Sequence, residues 1–585
     1  PEIVVEKGDN TEIGQISNMI NSAPTLKTPL TKKIDKLACQ IFFVILIVAI
    51  IGFFVGFFQN NELSELLLNP VVMAVSAVPE GLPAAITIIL AIGVKRMARR
   101  RAIVRKFPAV ETLGGTSIIC SDKTGTLTQN KMTVQKIYAG GYVYNVSGNG
   151  YSANGKITPD DGNVAVKNCL DIGVYTNVAR VDGTKIDGDP TEVALLFSAM
   201  KMGIFAETAF RNNKRIFAIP FESEYKYTAS LHKNGTIYAR GSTEAVIAKC
   251  TKQMNPDGSV SKLDEKEVIR NMEKLARSGL RVVCFAMKTG CKKKTIGHND
   301  VRNLVFVGLQ AMMDPPRPTA VRAIETCHRA GIMVKMITGD HMDTAIAIAK
   351  QLNLNGDKPG QSIRGLNGLT IAKMTDKELQ DIVLETDVFA RVSPGDKLRL
   401  VRAMQSHDKI VAMTGDGVND APALRQANIG IAMGQVGTDV AKDSADIILM
   451  DDNFATIEAA VEEGRSIFDN LAKFITWTLM TGVGESMIIM AALVLGVVAP
   501  LSTVQVLWIN LVTAVLLGTT FAFEPVEPTA MGRPPRPENA SIISGRNLMR
   551  IAFLGLLMTA LAYIAYAIVV GEEHDPMLAT TVVVN

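Results

Sequence analysis

The 585-residue chain is 48% hydrophobic, 20% charged and 6% aromatic. That length holds several domains, and a mean hydropathy above zero at this size points to a membrane portion. A formal charge of +4 argues against a protein that coats nucleic acid, and seven scattered cysteines with no CxxC pair argue against a disulfide scaffold or a structural zinc site.

In chain order, the first feature is an opening at Pro1 with no initiator Met and no signal peptide, which reads as part of a longer protein. Five apolar stretches then meet the roughly 20 residues a helix needs to cross a bilayer. They are 41–58, 70–94 (charged only at Glu80), 474–500 (only at Glu485), 501–523 and 551–570. Lys32, Lys33 and Lys36 precede the first stretch. Lys95, Arg96, Arg99, Arg100, Arg101, Arg105 and Lys106 follow the second, and Arg533, Arg536, Arg546 and Arg550 lie between the last two. The intervening connections at 60–69 and near Pro500 carry no Lys or Arg, so the amino terminus and the large middle segment are expected on the cytosolic side. The basic run 95–106 is expected to be a solvated stalk touching lipid headgroups.

The middle segment has α/β character. Ser117–Asp122, Val334–Asp340 and Ile410–Asp416 each read as a buried parallel strand that delivers polar residues to its carboxyl end, where ligands sit in open α/β sheets. Asp122, at a strand end before a Gly-containing turn, is placed as a carboxylate nucleophile. Attack on a phosphate gathers anions, so the site needs cations: Mg2+, with Asp416 as a second carboxylate, and a fixed charge from Lys397. Thr338 and Gly339 offer a hydroxyl and an N–H to phosphoryl oxygens, and Asp340 and Asp420 stand beside them.

Within the span 70–94, Glu80 lies between Pro79 and Pro83. A charge at mid-bilayer costs about 2.5–3.5 kcal/mol, and each proline lacks an N–H and so frees a carbonyl. A carboxylate with freed carbonyls suits a hard cation, and the absence of cysteine in this stretch disfavours soft-metal transport. Glu485, Asn510 and Thr513 are further candidates; Asn510 and Thr513 share a helix face.

The segment CSDKTGTLTQNKMTV around Asp122, MITGD at 336–340 and MTGDGVNDAPAL at 413–424 resemble the P-type ATPases, and Val78-Pro79-Glu80-Gly81-Leu82-Pro83 resembles the fourth membrane helix of their type II, calcium-pump-like branch. The resemblance runs through almost the whole chain. It implies a multidomain membrane protein: an α-helical transmembrane bundle plus an α/β haloacid-dehalogenase-like phosphorylation domain with an inserted α+β nucleotide-binding domain. The implied boundaries are 1–37 (a strip after an actuator domain, with Asn10–Gly14 matching), 38–106 (helices 3 and 4 with stalk), 107–134 and 314–464 (phosphorylation), 135–313 (nucleotide binding), 465–571 (helices 5 to 7) and 572–585 (the start of another helix). It implies that ATP phosphorylates Asp122, with Mg2+ held by Asp122, the Thr124 carbonyl and Asp416 and with Asn419 and Asp420 adjacent. Glu192, Phe221 (stacked on adenine), Lys226, Arg240, Gly241 and Arg281 would contact nucleotide, with Asp314, Arg317 and Arg391 at the hinge and near it. Val75, Ser76 and Val78 would lend carbonyls to the ion beside Glu80.

Thr124 has a mechanistic consequence, and a few other positions depart from the family pattern. Related phosphatases carry an acid/base Asp where Thr124 stands, so a phosphoenzyme here should persist. The usual Lys-Gly-Ala-Pro-Glu is Arg240-Gly241-Ser242-Thr243-Glu244, an arginine for a lysine. Ala514 replaces an expected aspartate and Gly482 an expected asparagine, which leaves fewer ion ligands. Calcium is the leading expectation for the transported cation; magnesium, manganese, sodium, potassium and protons are the alternatives. A membrane-tethered phosphatase, a lipid flippase and a binding-only pseudoenzyme are the competing classes, and Thr124, Glu80 and the full set Asp122, Lys397, Asp416 and Asp420 oppose them in turn. The expected partners are the cation, membrane lipid, and the actuator domain and helices outside this sequence, with no nucleic acid. The expected setting is the plasma membrane with cytosolic catalytic domains. Without an actuator, the chain is expected to form the aspartyl phosphate but to hydrolyse it slowly.

Overall fold

The computed structural model describes residues 11, 29–58, 82–148, 150–183, 185–356, 362–497, 499–537, 541–573 and 576–584. Short β-branched runs such as Ile118–Ser121, Val411–Gly415 and Ile429–Met433 are buried at every position, the pattern of strands covered on both faces. They join an eight-stranded sheet in the order Ala102–Val104, Ile447–Leu449, Ile429–Met433, Val411–Gly415, Ile118–Ser121, Met333–Thr338, Val388–Ala390, Gly365–Asn367. Every pairing is parallel except that of the edge strand Ala102–Val104, which runs antiparallel to Ile447–Leu449. Ile118–Ser121 is central: Met336 pairs with Ser121, and Met413 with Cys120. That register sets the ends of three strands, remote in sequence, beside one another.

Leaving this sheet after Leu127, the chain builds a second one. It has ten strands and is almost wholly antiparallel, running from Ile157–Thr158 through Thr133–Ala139, Leu304–Met313 and Arg281–Lys288 to the edge strand Arg215–Ile219. The helices Val164–Tyr175 and Pro190–Met200 bury Leu170, Ile172, Leu195 and Leu196 against Phe285 and Val307. The outgoing and returning connections are tied together. The Asp314 carboxylate accepts from the Thr128 hydroxyl (2.5 Å) and the Lys131 N–H (3.0 Å), and Arg317 donates to the Thr128 and Gly125 carbonyls.

Among the described residues, four helices are long and apolar enough to cross a membrane: Cys39–Phe58, Phe454–Leu495, Val504–Phe523 and Gly545–Gly571. The span expected at 70–94 falls partly outside the described residues; its described part begins the helix Leu82–Arg99. The span expected at 474–500 is the lower part of a 42-residue helix, Phe454–Leu495, capped by Asn453 and ended by Gly496 in the left-handed region. Its upper turns carry Glu458, Glu462 and Glu463, so periodicity of apolar residues alone missed them. The stretch 501–523 is not one regular helix: Thr503–Trp508 passes into a wide-turned segment, Ile509–Leu517, and then a short tight turn, Thr520–Phe523.

The basic run 95–106 differs from its expectation. Arg100 pairs with Glu462 (2.7 Å), Lys106 with Asp446 (2.7 Å) and Arg105 with Asp443 (3.2 Å), while Arg96 donates to the Phe523 and Glu524 carbonyls. The run is therefore largely a seam between the first stalk, the long helix and the parallel sheet. Acidic partners some 340 residues away in sequence were not legible as partners.

Candidate functional site

Asp122 ends the central strand and caps the following turn, its carboxylate accepting from the Thr124 N–H (3.4 Å). Asp416 and Asp420 come from the neighbouring strand end, and ligand oxygens of all three aspartates lie within 4.8 Å of one another. Lys397 reaches this group from the helix Pro394–Gln405, which Ser393 caps in a reciprocal box with Asp396. Its Nζ lies 2.5 Å from Asp420 Oδ1 and 3.4 Å from Asp122 Oδ2. The Asp420 second oxygen accepts from the Asp416 and Gly417 N–H groups, both at 3.2 Å.

The electrostatics follow from one ammonium among three carboxylates. Burial and the neighbouring Asp420 raise the proton affinity of Asp122 above the ordinary carboxylate range, against the pull of Lys397. Burial, with Asp122 and Asp420 adding to it, pushes Asp416 up to about 6. Burial disfavours the Lys397 charge, but Asp122 and Asp420 outweigh it and hold the amine above its usual value. The site carries more negative charge than its lysine neutralises. Hard oxygen donors at this spacing are the donor set that a small divalent cation such as Mg2+ prefers.

Thr338 and Gly339 end the strand next to Asp122, and the Thr338 hydroxyl accepts from the Asp340 N–H (3.2 Å). Asp340 pairs with Lys123, a buried lysine next to the nucleophile candidate that sequence reasoning passed over. Its adjacency to Asp122 was the available signal. Thr124 is exposed beside Asp122, and Asn419, in the turn between Asp416 and Asp420, is exposed as well.

A second cavity, of about 500 Å³, lies on the antiparallel sheet. Glu192, Phe221, Lys226, Arg240, Gly241 and Arg281 all line it, from a helix, strands and turns up to 89 positions apart. Phe221 is 62% exposed, an aromatic face open to a planar ligand. Arg240 is buried and spends its guanidinium on Glu192, so the cation expected to meet a phosphate is engaged by a carboxylate here. Lys226 adopts a positive φ of 57°, and its carbonyl is where a Cβ on Gly241 would fall, at 2.5 Å. Only glycine allows that approach. Asp189, which caps the helix Pro190–Met200, also lines the cavity and was not anticipated. Arg317 sits instead at the connection between the sheets, and Arg391 is exposed at the end of the strand Val388–Ala390.

In the membrane portion, Glu485 is 2% exposed and its carboxylate faces the side-chain amide of Asn510. Asn510, on the next span, is likewise buried. Thr513 lies in the wide-turned segment Ile509–Leu517. Val75, Ser76, Val78 and Glu80 lie outside the described residues.

Parallel sheet, aspartate group and apolar helices together describe a membrane protein with a carboxylate–lysine centre on its α/β portion. Residues 165–319 match the family model described as P-type ATPase, cytoplasmic domain N, and 498–585 match that of the cation transporting ATPase C-terminus. The chain is 44% identical over 603 residues to cation-transporting ATPase pma1 of Synechocystis, covering 100% of this chain and 66% of that protein. It is 39% identical over 594 residues to a calcium-transporting ATPase of Bacillus subtilis, covering 98% and 66%, and 45% identical over 581 residues to a Mycobacterium tuberculosis protein named Probable cation-transporting ATPase F, covering 97% and 64%. The chain spans 64–66% of the length of these relatives. It belongs to the P-type ATPases.

Proposed function

We propose that this chain carries the phosphorylation and ion-binding machinery of an ATP-driven cation pump. The observation that carries the proposal is the convergence of Asp122, Asp416, Asp420 and Lys397 at one end of a parallel sheet. In this reading an Asp122 carboxylate oxygen attacks the γ-phosphorus of ATP, the bond to the β–γ bridging oxygen breaks, and ADP departs. Lys397 offsets the charge gathered at the nucleophile, and Thr338 and Gly339 orient phosphoryl oxygens. Asp122, the Thr124 carbonyl and Asp416 would hold Mg2+, which supplies charge neutralisation of the phosphate oxygens. The cavity on the second sheet takes the nucleotide, with adenine on Phe221 and phosphates toward Arg281 and Lys226. Thr124 cannot accept a water proton as a carboxylate does, so the acyl phosphate persists long enough to be coupled to movement.

The domain division follows the same reading. Residues 107–134 and 314–464 form a haloacid-dehalogenase-like phosphorylation domain, interrupted by the nucleotide-binding domain 135–313. Residues 38–106 and 465–571 supply membrane helices 3 and 4 and then 5 to 7, with 572–585 leading into another. The catalytic domains face the cytosol, supported by the distribution of Lys and Arg around the spans, and the membrane is the plasma membrane.

The cation is a hard one and calcium leads, supported by the calcium-transporting relative from Bacillus subtilis. Glu485 and Asn510, both buried and side by side, would offer side-chain oxygens to such an ion. Gly482 and Ala514 offer no ligand side chain, so the site holds one divalent ion, and magnesium, manganese, sodium, potassium or protons are the second reading. The test is acid-quenched labelling with γ-32P-ATP across a cation screen, for the native chain and D122N. Hydroxylamine-sensitive label that needs one cation and vanishes in D122N supports the proposal; label retained in D122N ends it.

A further inference from the structure

The cavity around Phe221 and the aspartate centre belong to different sheets, so the reach between them is set by whatever holds those sheets together. Beyond the tied connections at Thr128–Lys131 and Asp314–Arg317, the two portions meet at a second place. The helix Glu265–Arg277 ends in a glycine turn: the Gly279 N–H donates to the Ala276 carbonyl (2.8 Å) and the Leu280 N–H to that of Leu275 (3.4 Å), with Gly279 at a φ of 77°. This buried turn leads directly into the strand Arg281–Lys288, whose first residue lines the cavity. It lies against the helix Met342–Gln351, which follows Thr338, Gly339 and Asp340 out of the parallel sheet.

The approach is close because both faces are small. A Cβ on Gly279 would fall 2.6 Å from the Ala347 Cβ, 3.2 Å from the Thr344 Cα and 3.5 Å from the Asp343 carbonyl oxygen. Carbon atoms pack at about 3.5–4.0 Å, so one added methyl group would push the turn back by about 1 Å. The helix-ending turn by itself requires only the left-handed φ; the seat requires in addition that nothing larger than a methyl group face it. Ala347 stands about 8 Å of helix beyond Met342, so the seat is within two turns of the strand end beside Asp122.

We propose that Gly279 and Ala347 are a positioning pair: their contact sets the distance from the nucleotide cavity to Asp122, and so governs phosphoryl transfer from ATP without touching nucleotide or aspartate. The inference rests on the reading of the cavity as the nucleotide site and of Asp122 as the phosphoryl acceptor. A misplacement of about 1 Å, made far from the chemistry, slows such a transfer by about 100-fold. A donor too small to span the two sheets is indifferent to it. With acetyl phosphate, the Asp122 oxygen attacks phosphorus, the bond to the acetyl oxygen breaks and acetate leaves, with nothing held on the second sheet.

Initial rates of acid-stable label from γ-32P-ATP and from 32P-acetyl phosphate, with ADP affinity by equilibrium dialysis, test the pair in the full chain. A347L crowds the seat from the parallel-sheet side and leaves the left-handed glycine alone; G279A crowds it from the other. Both should label about 100-fold more slowly from ATP, while labelling from acetyl phosphate and ADP affinity stay native. In the double variant G279A/A347G the nearest atom to the new Cβ is the Thr344 Cα at 3.2 Å, so the displacement shrinks to a few tenths of an ångström and most of the ATP rate should return. Native ATP labelling in A347L or G279A, an equal loss from both donors, a loss of ADP binding, or no recovery in the double variant would each overturn the assignment. A native chain that neither donor labels would instead end the reading of Asp122, and this inference with it.

Discussion

Replacing Lys397 by glutamine tests the centre most directly, because it removes the one cation among three aspartates while keeping a side chain of similar length. At an effective dielectric of about 20, the 3.4 Å and 2.5 Å contacts of Nζ with Asp122 and Asp420 are each worth about 5–7 kcal/mol of attraction. Three carboxylates within 4.8 Å repel one another by at least about 3.5 kcal/mol per pair, so the lysine roughly cancels what the aspartates cost. Without it, the site must take up protons or bind a divalent cation more tightly. Loss of a preorganised charge of this kind slows a reaction by about 10²–10³-fold, or about 2.7–4 kcal/mol. K397Q should therefore form phosphoenzyme from γ-32P-ATP at least 100-fold more slowly in rapid acid-quench experiments, while its Mg2+ affinity holds or rises. A variant that labels within tenfold of the native rate, or that loses Mg2+ binding altogether, would refute the electrostatic argument.

Three other outcomes are expected. At the junction of the long helix with the helix Pro108–Gly114, a Cβ on Gly464 would fall 2.6 Å from the Gly114 nitrogen, so G464A should cost about 1–3 kcal/mol by overpacking and loosen the dependence of phosphorylation on cation; an unchanged melting temperature would count against the contact. Arg240→Ala leaves Glu192 buried without its cation and should lower ATP affinity at least tenfold by equilibrium dialysis, whereas R240K should recover part of it. His232, fully buried, is held by burial below its ordinary pKa, so the unfolded chain takes up its proton first; thermal stability should be complete above about pH 6.5 and fall as pH drops toward the folded value, and H232Q should flatten that slope between pH 7.5 and 5.5.

The centre was legible in the sequence because its parts are local. Ile118–Ser121 and Val411–Gly415 are runs with a carboxylate immediately beyond them, and parallel strands put such residues at one edge whatever the sheet order. The pairings that neutralise or withhold charge were not legible. Lys123 with Asp340, Arg240 with Glu192 and Lys106 with Asp446 join positions 48 to 340 residues apart, and each depends on which strands become neighbours. Four of the expected spans were found by hydropathy, but the 42-residue length of the helix Phe454–Leu495 was hidden by its charged first turns, whose acids answer an arginine on another stalk. In the stretch 501–523, composition gave a spanning segment and could not show its wide turns at Asn510, because backbone irregularity is settled by what the segment packs against.

That long helix also explains how an event at Asp122 can be felt at Glu485. From Phe454 to Glu485 it is unbroken and contains no proline, about 46 Å of continuous backbone hydrogen bonding. At its upper end Arg465, 7% exposed, donates to the carbonyls of Ala330, Ala530 and Arg533, and Asp469 holds both Arg533 and Arg536. Ala330 closes the helix that leads into Met333–Thr338, the strand beside Asp122, so one side chain joins the parallel sheet, the loop after Phe523 and the membrane helix. A tilt of the sheet cannot leave the long helix in place without breaking several charge-assisted bonds at once. The Glu485 carboxylate at the far end rides on the same unbroken helix and faces Asn510 of the next span, so a shift of that helix would change the spacing of the two side chains.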